Sequence, residues 1–309
     1  MEVNLDYWIS LLTSCLRIAV PIAFAAIGAL LCERAGIVNI GIEGMMLTGA
    51  FAGVYGSYIT GSAYGGLLIA MIGGGLVGLL HAVLTIAFKT DHIISGLGIN
   101  LLAQGLTVVL LMTIWDSKGK SPDVEGFTNL SIPLIKDIPF IGPIIGNMNI
   151  LFYLLIAVVI VTWIVLFKTV FGLRVRVIGE NPQVADTLGV HVYKMQYICV
   201  ILCGVLAGIG GACLSIGDVH FFNRDMVAGR GYIALAAMIF GGWNPVGAFG
   251  SSMLFGLAQS LQIRLQVFDI PVQFVQMLPY ILTIVVLVVY RNRNRAPAAS
   301  GKHFRRGET

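Results

Sequence analysis

Nine stretches of this chain are strongly apolar, and all but one are too long for the core of an ordinary water-soluble fold: about 10–31, 40–58, 65–88, 93–114, 150–167, 196–216, 231–242, 246–264 and 271–290. Crossing a hydrocarbon layer roughly 30 Å thick takes about 20 helical residues, and most of these runs supply them. Only 11% of the residues are charged, against 57% hydrophobic. A soluble domain carries about 25% charged residues, so this chain lacks the polar surface a soluble fold of its length needs. The expectation is an all-α polytopic membrane protein with about 8–10 transmembrane helices. It forms a single transmembrane domain over 1–290, followed by a basic tail over 291–309.

The start reads MEVNLDYWIS, with no basic residue before Arg17. A cleaved secretory leader needs a basic start and a small-residue cleavage site, so the first apolar run is expected to stay as a membrane helix. Basic residues then orient the bundle, because cytoplasmic loops are enriched in Lys and Arg. The tail carries Arg291, Arg293, Arg295, Lys302, Arg305 and Arg306, and the loop at 168–195 carries Lys168, Arg174, Arg176 and Lys194. The loop at 115–149 instead balances Lys118, Lys120 and Lys136 against Asp116, Asp123, Glu125 and Asp137. Tail and 168–195 loop are expected on the cytoplasmic side and the 115–149 loop outside, with an outward N-terminus.

The run at 231–242 is short for a crossing and is bounded by Gly229, Gly231, Gly241, Gly242 and Pro245, which reads as a half-helix or re-entrant piece. The stretch from Gly41 echoes the stretch from Gly231 in placement, each followed by a Gly-rich apolar segment (65–80 and 247–260). With the orientation above, the two copies run in opposite senses, as in the inverted internal repeats of many transporters. Pairs such as Gly74/Gly78 and Gly204/Gly208 would let helix backbones approach closely.

No enzyme constellation is present. Gly119-Lys120-Ser121 resembles the end of a phosphate-binding loop, but that motif needs a glycine five residues before its second one, and Ile114 stands there. ATP would have to be hydrolysed by another chain. No two of His81, His92, His191, His220 and His303 have metal-ligand spacing, and Cys15, Cys32, Cys199, Cys203 and Cys213 read as small packing residues. No cofactor or metal site is expected.

In the 168–195 loop, Asn181 can cap a helix that starts at Pro182, and Gly189 suits its end. The result is about two turns of charged, amphipathic helix between two membrane segments, able to dock into a groove of a cytoplasmic partner or to be an ordinary surface helix. The pattern Gly179-x-Asn181-x-x-x-Ala185-x-x-x-Gly189-Val190, after Gly172-x-x-x-Arg176, resembles the coupling loop of permeases of ATP-binding-cassette importers for branched-chain amino acids, simple sugars and nucleosides. Two further stretches resemble the nucleoside and simple-sugar branch. One runs from Glu33-Arg34-Ala35-Gly36 to Asn39-Ile40-Gly41-Ile42-Glu43-Gly44. The other joins Gly229-Arg230-Gly231-Tyr232 to Phe240-Gly241-Gly242-Trp243-Asn244-Pro245.

The resemblance implies a type II importer-like permease domain over 1–290 in a prokaryotic cell membrane. It implies three kinds of partner: a cytoplasmic ATP-binding-cassette ATPase, a second permease subunit, identical or different, and an extracytoplasmic solute-binding protein. Residues 179–190 would form the coupling helix, with Arg176, Gly179, Glu180, Asn181, Pro182, Ala185, Asp186 and Gly189 as its elements. Asp186 departs from the family, where a second alanine is commoner.

Polar side chains inside a bilayer survive by facing the bundle interior or a wet cavity. The candidates for the solute pathway are Asn39, Glu43, Asn100 with Gln104, Gln259 with Gln262, and Gln273 with Gln276. Each pair sits three or four residues apart and so shares a helix face. Helix-to-helix hydrogen bonding is the plain alternative for each pair, and Glu43, in a Gly-rich break, could equally satisfy freed backbone. Amides donate and accept, which suits a neutral, hydroxyl- or base-bearing solute. The resemblance, not the amides, implies the substrate order: nucleosides first, then simple sugars, then branched-chain amino acids. The competing reading is an ion-coupled secondary transporter that uses Glu43 as its ion site; a passive channel or scaffold is a third.

Overall fold

The computed structural model describes residues 5–131, 142, 145–266, 274, 277, 281, 284–285, 288 and 296–306. Helix α1, Leu5–Arg34, has 30 residues and is about 45 Å long at 1.5 Å per residue. It is followed by α2 (Ile42–Thr60), by α3 (Ala63–Ala82) with a π-helical extension over Val83–Ala87, and by α4 (His92–Trp115). Strand β1, Asn129–Ser131, pairs antiparallel with β2, Asn147–Asn149, with Asn129 opposite Asn149. Then come α5 (Ile150–Lys168), α6 (Val170–Glu180), α7 (Pro182–Thr187), α8 (Val192–Ala212) with a π extension over Cys213–Val219, α9 (Arg230–Phe240) and α10 (Pro245–Leu265).

Eight of the nine apolar runs are therefore helices, and the ninth, 271–290, lies mostly outside the described residues. Five of them (α1, extended α3, α4, α5 and extended α8) are long and apolar enough to cross a membrane. Helices α2 and α10 have the length, 19 and 21 residues, while α9 has only 11 residues. The loop expected over 168–195 is corrected: it holds the helix α6 as well as α7. Gly172, Val175, Ile178 and Gly179 are buried on one face of α6, a helical spacing that its charges and glycines disguise.

The connections separate into two ends. At one end Arg34 reaches the Trp243 carbonyl, the segment 296–306 reaches Gly179, and the His92 ring meets His303. At the other end Ser57 donates to the Glu125 carbonyl, and the backbone of 121–127 pairs with 216–222. The basic 168–195 segment and residues 296–306 thus share one end, and the described residues of the 115–149 segment sit at the other.

The inverted repeat is visible in this frame. Helix α1 runs towards the Arg34 end, turns through 35–41, and α2 leads away. Helix α8 runs the opposite way, turns through 220–229, and α9 returns to the Trp243 end. Helices α2 and α9, which carry the Gly41 and Gly231 stretches, thus run in opposite senses.

Lipid tails are as apolar as leucine, so helices in a bilayer associate mainly through close packing of small residues. The two glycine pairs named above meet each other. A Cβ on Gly204 would fall on the Gly74 carbonyl, and one on Gly78 would lie 2.8 Å from the Val200 carbonyl. This seam holds α3 to α8. Helices α1 and α8 are largely buried, whereas α3, α4 and α5 are only about one-third buried, leaving broad apolar faces for lipid or another subunit.

Candidate functional site

Two helices begin in the interior of the bundle, and both N-termini converge on Glu43. A helix N-terminus leaves backbone N–H groups without intrahelical partners, and Gly229, at the cap of α9, has no side chain to supply one. The Glu43 carboxylate supplies it from α2. Its Oε1 accepts from Gly229 N at 2.7 Å and its Oε2 accepts from Gly231 N at 2.7 Å. The same carboxylate lies in the first turn of α2, so both helix dipoles favour its negative charge. Gly231 is required here, because a Cβ would sit 2.7 Å from both the Glu43 backbone and its carboxylate.

Helix α2 is capped in turn by Asn100 from α4. The Asn100 Oδ1 accepts from Gly44 N at 2.8 Å, and its Nδ2 donates to the Ile40 carbonyl at 3.1 Å and to the Tyr232 hydroxyl at 2.9 Å. Asn39 folds back on its own loop, its Oδ1 accepting from Gly41 N at 2.9 Å. Its Nδ2 lies 3.4 Å from the sulfurs of Met45 and Cys203. Asn39, Glu43 and Asn100 are only 1%, 4% and 4% exposed. Three expected pathway residues thus form one polar knot whose oxygens are taken up by the broken-helix backbone.

The remaining candidates lie elsewhere. Gln104 is exposed on α4 and lines a cavity of about 350 Å³ with Leu47, Thr107, Arg224 and Asp225. Gly105 lines the same cavity, with nothing within 4 Å of a Cβ built on it. Gln259 and Gln262 are half-buried on α10, and the hydrogen bonds of the knot do not include them. Gln273 and Gln276 lie outside the described residues.

The loop at 220–229 forms part of the cavity wall and is unusually contorted. His220, Asp225 and Ala228 all take positive φ (63°, 56° and 49°), as does Gly229 (82°). Such backbone is held only where its surroundings over-determine it: Glu43 fixes Gly229 at one end of the loop, and backbone bonds from Ser121 and Val124 to the Phe222 and His220 carbonyls fix the other. Arg224, Asp225 and Tyr232 are the site residues that sequence reasoning did not single out. Tyr232 stands in one of the stretches named above, but its partner Asn100 is 132 positions away.

A second polar tie lies one helix length from the knot. The Trp243 indole donates to Glu33 Oε2 at 2.6 Å, and Arg34 donates through Nε and Nη2 to the Trp243 carbonyl at 3.0 and 2.8 Å. The stretches around Glu33–Gly44 and Gly229–Pro245 are therefore joined at both ends of α9. Gly179 of α6 packs so tightly on the Arg34 carbonyl that no Cβ would fit between them.

From Gly179 the chain passes into α7. Asn181 Oδ1 accepts from Val184 N at 3.1 Å and Pro182 opens the helix. Gly189 follows with φ of 78°. Pro182 and Ala185 are buried, whereas Val184 and Leu188 are 47% and 73% exposed. Arg176 stacks its guanidinium on the Phe167 ring at 5.3 Å, Glu180 is exposed, and Asp186 pairs with Arg306. His81, deep in α3, is satisfied by Ser95 Oγ at 3.0 Å and the Val38 carbonyl at 3.2 Å, a packing role.

Comparison with known proteins follows the same lines. The family model described as branched-chain amino acid transport system / permease component matches residues 11–287. The guanosine ABC transporter permease protein NupQ of Bacillus subtilis is 40% identical over 301 residues, covering 94% of each chain. The nucleoside ABC transporter permease protein NupC of Lactococcus lactis is 43% identical over 295 residues, covering 92% of this chain and 93% of NupC. A second guanosine permease of the same Bacillus, NupP, is 26% identical and covers 78% of this chain and 70% of its own.

Proposed function

This chain belongs to the branched-chain amino acid transport system permease family, and we propose that it is the membrane subunit of an ATP-driven importer whose solute is a nucleoside. The observation that carries the reading is the likeness to NupQ and NupC along more than nine-tenths of each chain. The subunit itself performs no chemistry. A cytoplasmic ATP-binding-cassette partner hydrolyses ATP, and an extracytoplasmic binding protein delivers the solute.

Geometry supports a coupling role for Arg176, Gly179–Pro182, Ala185, Asp186 and Gly189. Helix α7 turns Val184 and Leu188 outward, apolar anchors suited to a groove in a partner. Behind it, contacts run from Gly179 to Arg34, from Arg34 to Trp243, and along α9 to Glu43. A push on α7 would tilt α9 and, through Glu43, α2. On this reading the end that holds α7 and residues 296–306 is cytoplasmic.

The exposed face of α4 supports a pathway shared with a second permease subunit. Gln104 would be costly against lipid, and the open Gly105 beside it leaves room. Two different permeases of one Bacillus resemble this chain, which favours a heteromeric pair. The carboxylate of Glu43, with both oxygens held by backbone, fits a structural clamp better than the ion site of a secondary transporter.

The reading is tested by ATP-driven uptake of labelled guanosine in liposomes that hold the complete complex. Unlabelled nucleosides should compete, whereas glucose and leucine should not; competition by glucose alone would move the substrate to sugars. Gln104→Leu should raise KM about tenfold, the value of one lost hydrogen bond of about 1.4 kcal/mol, and leave basal ATPase activity unchanged. An unchanged KM would remove Gln104 from the pathway.

A further inference from the structure

Residues 296–306 do not hang free of the bundle. Ala299 N donates to the Gly179 carbonyl at 2.9 Å and Gly301 N donates to the Gly36 carbonyl at 3.0 Å. Pro297, Ala299 and Phe304 are buried. The Phe304 ring packs on Tyr193 at 5.2 Å, and the Tyr193 hydroxyl donates to the Phe304 carbonyl at 3.2 Å. His303 meets the His92 ring edge to face at 4.8 Å, and Arg306 Nε reaches Asp186 Oδ2 at 3.3 Å. One eleven-residue segment therefore touches α6, α7, the 35–41 turn and the first residues of α4 and α8.

The places it touches are the ones the coupling reading needs to move together. Gly179 lies between α7 and Arg34, and Gly36, in the left-handed region at φ 86°, begins the turn that carries Asn39 and Glu43 into the knot. Two backbone hydrogen bonds from the segment hold those two glycines in register. Asp186, on α7, finds its partner Arg306 in this segment. We propose that residues 296–306 are a strap that fixes the coupling helix to the 35–41 turn, so that α7 and the Glu43 knot move as one piece. The strap rests on the coupling role proposed above. It makes Ala299, Phe304 and Arg306 positioning residues for transport, not part of the solute pathway.

Without the strap, α7 keeps its exposed anchors and can still engage an ATPase, but its displacement is lost before it reaches α2. The test uses the complete complex in liposomes and reads solute taken up per ATP hydrolysed, with co-purification of the ATPase as a second readout. Phe304→Ala is expected to lower that ratio at least fivefold while the ATPase stays bound and its rate stays within twofold. Arg306→Glu, an exposed change that leaves the packing intact, should lower the ratio about twofold, and adding Asp186→Lys should restore it.

A ratio that stays at the wild-type value in both single variants overturns the proposal. Loss of the ATPase from the Phe304→Ala complex also overturns it, since the segment would then belong to the docking surface. A wild-type complex that shows no ATP-driven uptake at all contradicts the importer reading instead, so the two failures are distinguishable.

Discussion

Replacing Glu43 with alanine is expected to cut uptake by more than about thirtyfold and to lower the melting temperature of the purified subunit. The change removes the acceptor for Gly229 N and Gly231 N together. Each buried donor left without a partner costs about 1–3 kcal/mol, so two cost about 2–6 kcal/mol, a large share of the 5–15 kcal/mol that holds a typical fold together. The loss falls on α9, which has 11 residues. Helices shorter than about 12–15 residues are marginal without tertiary support.

Glu43→Gln separates the clamp from an ion site. The amide oxygen can still accept from one glycine while its NH₂ group faces the other donor, so an intermediate loss of about tenfold is expected, with a smaller drop in melting temperature. Labelled-nucleoside uptake and a thermal melt of the same preparation check both variants. Complete loss of uptake in Glu43→Gln with wild-type stability would point to proton or cation chemistry at this carboxylate.

The second large effect is expected at the glycine seam. Gly204→Leu should abolish recovery of monodisperse protein in mild detergent, and Gly204→Ala should reduce it strongly. The obstacle is backbone: the Gly74 carbonyl oxygen stands where the new Cβ would go, and the Gly78 Cα and the Gly74 carbonyl carbon follow it. Forcing extra atoms into a packed contact costs typically about 1–3 kcal/mol even when side chains can yield, and here none can. Gly98→Ala and Gly105→Ala, on the open face of α4, should leave recovery unchanged. Size-exclusion profiles of the four variants decide the point, and a normal profile for Gly204→Leu would contradict the seam.

What could be read from the sequence depended on how locally each feature is determined. Asn181, Pro182 and Gly189 cap and end α7 with contacts no more than a few residues long, so that helix was legible residue by residue. The half-helix at 231–242 announced itself by its length and its glycines. The Gly74/Gly78 and Gly204/Gly208 pairs were visible as close-packing sites, but nothing local said that they pack on each other.

Glu43 was legible as a carboxylate in a helix break. Its true partners stand 186 and 188 positions away, beyond the reach of periodicity or spacing. The same holds for Asn100 with Tyr232 and for Asp186 with Arg306. Helix α6 was missed because arginines and glycines masked a buried face whose spacing of three and four residues was present all along. Gln104 with Asn100 shows the limit of face-sharing arguments: the two lie one turn apart, yet one is sealed in the knot and the other opens on a cavity.

On the function proposed above, this subunit passes to its solute a motion that an ATPase delivers at α7. That reading is tested most directly by purifying the tagged chain from its native membrane in mild detergent and identifying by mass spectrometry what accompanies it. An ATP-binding-cassette protein is expected with the wild type, and its loss when the sequence from Gly179 to Gly189 is scrambled. A chain that purifies alone and still moves nucleoside through liposomes without ATP would contradict it.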